Sequence, residues 1–118
     1  MEIIRSVAQA TTIPDPVLSH VIQQRIASIA SDEPYDAKLH GIFVRIEVGD
    51  TLQNILEQTG LDLLVRRCEI AEQGSVYWSL LYILSDDGYG VELFVPKVEG
   101  IDQTLVAICQ RAALPGKL

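Results

Sequence analysis

Val76-Tyr77-Trp78-Ser79-Leu80-Leu81-Tyr82-Ile83-Leu84 decides the fold of this chain. Side chains along a strand alternate between faces, so Val76, Trp78, Leu80, Tyr82 and Leu84 share one face. Tyr77, Leu81 and Ile83 fall on the other. Both faces are mostly apolar, which predicts a strand in the interior of a sheet, covered on both sides. The next six residues, Ser85-Asp86-Asp87-Gly88-Tyr89-Gly90, are turn chemistry, and Val91-Glu92-Leu93-Phe94-Val95 reads as a second strand. The pair predicts a β-hairpin.

Working upstream, Leu61-Asp62-Leu63-Leu64-Val65 and the residues to about Ile70 read as extended, with a bulge expected near Arg66-Arg67. Glu72-Gln73-Gly74-Ser75 turns the chain into the quoted stretch, which gives a three-strand antiparallel meander over 61–96. Ile42-Phe43-Val44-Arg45-Ile46-Glu47-Val48 alternates well and supplies a fourth strand, with Ile42, Val44, Ile46 and Val48 toward the core and Phe43 out of pattern. Further upstream, Asp15-Pro16 is a helix start: Asp offers an N-cap acceptor, and Pro loses nothing at the first helical position. Leu18, Val21, Ile22, Ile26 and Ile29 then form one stripe of a helix over 16–30, with His20 on its wet face. Residues 1–14 fit either a turn of helix or a short edge strand. At the other end Asp102 caps a helix over 102–113, with Ile101 and Val106 spaced as a hydrophobic staple and Leu105, Ile108, Cys109 and Ala112 facing inward. The expectation is a single α+β domain over 1–118. Its mainly antiparallel sheet has about four strands, and both long helices lie on one face.

Composition narrows the function without naming it. A chain of 118 residues with 48% hydrophobic and 21% charged residues is globular and needs no metal or disulfide staple. Sixteen acidic residues against nine basic ones give a net charge of −7. That opposes nucleic acid, whose phosphates need Lys and Arg, and anionic membrane surfaces. No export signal or membrane-length apolar window is present, so a cytoplasmic protein is expected. Cys68 and Cys109 lack C-x-x-C spacing and read as buried thiols behaving as small hydrophobes.

Gly49-Asp50-Thr51-Leu52 with Ile55 and Gly60 resembles the opening of a lysin motif, a peptidoglycan-binding module, and also the start of secretin N-terminal-type modules. The lysin motif continues into a second short helix ending in Leu-Asn. Here Leu61-Asp62-Leu63-Leu64-Val65 follows instead, so the likeness is that of a turn leading into a capped helix. Asp50 and Gln53 are expected to begin that helix as a capping-box variant, and Gly60 to end it.

Asp36 and His40 are the candidate catalytic pair. Both sit in the Pro-broken loop 31–41 with Glu33 and Tyr35 nearby, and a carboxylate beside a histidine is raw material for acid–base chemistry. Asp86-Asp87-Gly88 lacks the ligand ladder of a calcium loop and reads as a turn. Arg66-Arg67 is a basic spot available to nearby carboxylates. There is no phosphate loop, Gly-x-Ser-x-Gly elbow or His-Glu-x-x-His, and no cofactor or metal is expected. The reading favoured here is a binding or accessory protein acting as a homodimer or on a protein partner. Trp78, Leu80, Tyr82 and Leu84 are the expected interface, because their face exceeds what one helix layer covers. A small enzyme around Asp36 and His40 is the alternative.

Overall fold

The structure, a computed structural model, describes residues 1–30, 42–64, 68–74, 76–83 and 90–113. In chain order the elements are β1 (Glu2–Ile4), α1 (Val7–Ala10), α2 (Pro16–Ala30), β2 (Ile42–Arg45), α3 (Leu52–Thr59), β3 (Cys68–Gln73), β4 (Tyr77–Ile83), β5 (Gly90–Pro96) and α4 (Gln103–Ala113). The strands form one five-stranded sheet in the order β1-β2-β5-β4-β3.

β4 is interior, as its two-sided apolarity demands. It pairs antiparallel with β5, from Tyr77 opposite Pro96 to Ile83 opposite Gly90, and antiparallel with β3 on its other side. The meander expected over 61–96 is therefore present, but its first strand starts at Cys68. Leu61 and Leu63 are buried in non-strand backbone instead. Their inward packing explains why the apolar run imitated a strand. The β3–β4 register shifts between Ile70 and Glu72, so a bulge does occur, a few residues beyond the Arg66-Arg67 position expected for it.

The sheet is mixed rather than mainly antiparallel. β2 lies parallel to β5, with Val44 opposite Leu93, and β1 pairs antiparallel with β2 at the edge. Sequence alternation does not encode strand direction, and β2 is separated from β5 by α3, β3 and β4. The connection is thus free to bring β2 alongside β5 in the same sense. β2 is also shorter than the expected 42–48. Ile46 still donates its N–H to Phe94 O, after which the chain turns away and leaves Val48 60% exposed.

Both sheet faces are packed within the one chain. On one, Leu80 and Tyr82 of β4 with Val91, Leu93 and Val95 of β5 join Ile55 of α3 and Leu105, Cys109 and Ala112 of α4. On the other, Tyr77 and Phe94 join Phe43, Ile4, Ala10 of α1 and Leu18 and Ile22 of α2. The two long helices thus serve opposite faces, not one. Phe43 breaks the alternation of its strand because it belongs to the α2 side. Residues 1–14 are both things their sequence allowed, an edge strand and then a turn of helix.

The helix ends follow capping chemistry. Asp15 Oδ1 accepts from the N–H groups of Val17 (2.9 Å) and Leu18 (3.3 Å), and Asp102 Oδ1 accepts from Thr104 and Leu105. In α3 the N-cap is Thr51 and not Asp50, with a reciprocal box formed by Asn54 rather than Gln53. Asp50 is drawn off by other donors: it accepts from the Glu47 N–H at 2.8 Å. Gly60 ends α3 in the left-handed conformation at φ 74°, as expected.

Candidate functional site

α2 puts Arg25 on its inward stripe, three residues beyond Ile22 and seven beyond Leu18. β5 puts Glu92 on the same side of the sheet, because Val91 and Leu93 face α4 and the residue between them must face α2. Glu92 is fully buried and Arg25 is 8% exposed. Arg25 Nε donates to both Glu92 Oε1 and Oε2 at 2.8 Å, and buried Ser79 of β4 donates its hydroxyl to Glu92 Oε2. The Arg25 guanidinium lies 5.5 Å from the Phe94 ring centroid, a further favourable contact for a buried cation. A buried carboxylate whose two oxygens accept from Arg25 and Ser79 is neutralised by its neighbours. The cluster binds α2 to the sheet; it does not present a base to solvent.

The sequence carries a signal for the charged pair. Glu92 is the one charge in Val91-Glu92-Leu93-Phe94-Val95, and Arg25 falls on the apolar stripe at 18, 22 and 29. A charge inside each of two buried patterns calls for a partner, and each is the partner of the other.

A second polar group lies near β1. The Met1 amino group contacts Asp50 at 2.9 Å and Glu47 at 3.0 Å, and Asp50 also receives the Asn54 side chain. Burial works against the ammonium, but the Asp50 and Glu47 carboxylates outweigh it and hold its pKa above the ordinary value. Alongside, Arg45 donates to Glu2 across the β1–β2 pair at 3.0 Å.

A third group lies between the sheet and α4. Tyr82 stands directly opposite Cys68 in the β3–β4 register, and buried Cys109 comes down from α4 into the same core, against which half-buried Cys68 packs. Burial, then the Cys68 thiol, then the Cys109 thiol push the Tyr82 hydroxyl well above the phenol range. Burial first, and Cys68 second, push the Cys109 thiol up to about 12.

Asp36 and His40 lie outside the described residues, as do Leu84, Arg66-Arg67 and the Asp86-Asp87-Gly88 turn. Of the expected interface, Leu80 and Tyr82 are 0% exposed in the single chain, so neither has surface to offer a second subunit. The face they occupy is taken by α3 and α4. Trp78 is half-buried, with the Lys97 ammonium 4.9 Å from its ring centroid. His20 is exposed on α2. Among the described residues, no three His, Cys, Asp or Glu side chains gather as a metal site, and no helix is long and apolar enough to cross a membrane.

With both faces of the sheet used internally, the two edge strands have one strand neighbour each among the described residues. β1 contributes three residues, and β3 contributes six with a neighbour, β4, on one side. These features define an α+β protein built on a mixed open sheet, with a buried ion pair under one helix and a long strand at one edge. No family model, curated protein or solved structure matches this chain.

Proposed function

We propose that this chain is a protein-binding domain that works through the edge of its sheet, pairing β3 with β3 of a second copy. The observation that carries this reading is the strand order, which ends on a six-residue strand that, among the described residues, is paired on one side by β4. An edge strand of that length leaves a row of N–H and C=O groups whose natural partner is another strand. β1 is a poorer template at three residues. An antiparallel pairing of like strands about a twofold axis is self-complementary, and twofold dimers are the commonest closed assembly. The bulge between Ile70 and Glu72 interrupts the regular ladder, so the pairing proposed here uses the stretches of β3 on either side of it.

Light scattering over a range of micromolar concentrations tests the reading. The expected mass rises from one chain to two as concentration rises. Ala71→Pro, placed within the bulge where proline is tolerated but cannot donate, should hold the protein at the monomer mass with its circular dichroism unchanged. A wild-type chain that stays monomeric throughout the range overturns the proposal.

A further inference from the structure

The Cys68–Tyr82–Cys109 group is a second feature of β3, and it stands independently of the edge-pairing reading. Cys68 opens β3 and faces the α4 side of the sheet, because its cross-strand partner Tyr82 does. Cys109 belongs to the buried stripe of α4, and α4 lies against both β3 and β4. The two thiols therefore enter one part of the core from facing layers, which Tyr82 shares. Among the described residues the Tyr82 hydroxyl is buried without a hydrogen bond to nitrogen or oxygen. Such a hydroxyl is more often partnered, so sulfur is the polar company this part of the core provides. The thiols also differ in access. Cys68 is half-buried, whereas Cys109 is fully buried. One cysteine that an oxidant can reach and a second one behind it is the arrangement of a reactive and a resolving pair.

We propose that a peroxide converts Cys68 and Cys109 into an intramolecular disulfide that staples edge strand β3 to α4. In the first step the Cys68 sulfur attacks one peroxide oxygen. An S–O bond forms, the O–O bond breaks, and the other oxygen leaves as water after taking the thiol proton, leaving Cys68 as a sulfenic acid. In the second step the Cys109 sulfur attacks the Cys68 sulfur. The S–S bond forms, the S–O bond breaks, and the hydroxyl leaves as water with the proton from Cys109. Two thiols lose two electrons, and one peroxide is reduced to two waters. The raised pKa of Cys109 keeps it a thiol at neutral pH, so the second step is the slow one. A disulfide requires its Cα atoms to come within about 7 Å, so bridge formation reports directly how closely α4 can settle on β3.

The test uses the full chain, reduced and then exposed to hydrogen peroxide, followed by alkylation and peptide mass spectrometry. The expected product is a monomer lighter by two hydrogens, with the Cys68 and Cys109 peptides joined and the bond reversed by dithiothreitol. Cys68→Ser should leave Cys109 reduced and alkylated only after denaturation. Cys109→Ser should stall at the Cys68 sulfenic acid, trapped by dimedone. The wild-type result alone decides the matter if either variant fails to fold. Wild-type protein that ends as Cys68 sulfinic acid, or as a Cys68–Cys68 bridge between chains, with Cys109 still reduced, overturns the proposal.

Discussion

Arg25 and Glu92 show how one ion pair constrains a core. Taking two charges out of water costs several kcal/mol per ion, and their attraction repays that only with good geometry and further hydrogen bonds. Here the Arg25 Nε–H serves both carboxylate oxygens, and the Ser79 hydroxyl donates to one of them. Removing one charge strands the other. Glu92→Leu alone should therefore lower unfolding free energy by about 3–5 kcal/mol in urea titration. The triple change Arg25→Met, Ser79→Ala, Glu92→Leu, which removes the whole group, should cost less than that single change. A triple variant less stable than Glu92→Leu alone would show that the cluster contributes net stability rather than orientation. At the same scale, Cys109 fixes an alkaline limit. Its folded pKa lies above its unfolded value of 9.0, at about 12. The unfolded chain therefore loses this proton first, and stability that is complete below pH 9 is lost progressively toward 12. Tyr82 is shifted in the same direction and adds to the loss. Thermal melts between pH 8 and 11 should show a steadily falling midpoint, and Cys109→Ala should make the slope shallower.

Elements whose ends carry their own chemistry were legible in the sequence; elements defined by distant partners were not. Asp15-Pro16 and Asp102 fix the starts of α2 and α4 because a carboxylate can reach N–H groups two and three residues on. The cap of α3 lies one residue beyond the Asp50 that local spacing suggests. Asp50 and Thr51 are both good caps, and the choice turns on Asp50 being engaged by Glu47, Asn54 and Met1, which local spacing cannot reveal. Thr51→Ala should thus cost about 1 kcal/mol through loss of the Asn54 N–H bond. Two-state urea unfolding measures it, and an unchanged midpoint would return the cap to Asp50. The turn before α4 gives another test. Gly100 has φ 93°, and a Cβ there would meet Val48 Cγ1 at 3.0 Å. Gly100→Ala should destabilise by about 1–2 kcal/mol from the left-handed backbone, and adding Val48→Ala should relieve just the contact share of that.

For the whole molecule, the interior place of β4 and its hairpin with β5 were visible in two-sided apolarity, while the sense of β2 and the sharing of helices between faces were not. Alternation says which residues point together, not which layer they meet. The same limit bears on the expected interface: two of its residues, Leu80 and Tyr82, have an aromatic, apolar face that α4 covers from within the chain. Among the described residues the longer of the two sheet edges is β3. Hydrogen exchange followed by residue-resolved NMR at low and at high protein concentration tests that edge most directly, because β4 and β5 serve as internal controls. Pairing of β3 with a second copy predicts that protection of the Cys68–Gln73 amides rises with concentration by more than that of the Tyr77–Ile83 and Gly90–Val95 amides, which gain just the global stabilisation. Exchange in β3 that is the same at every concentration would contradict it.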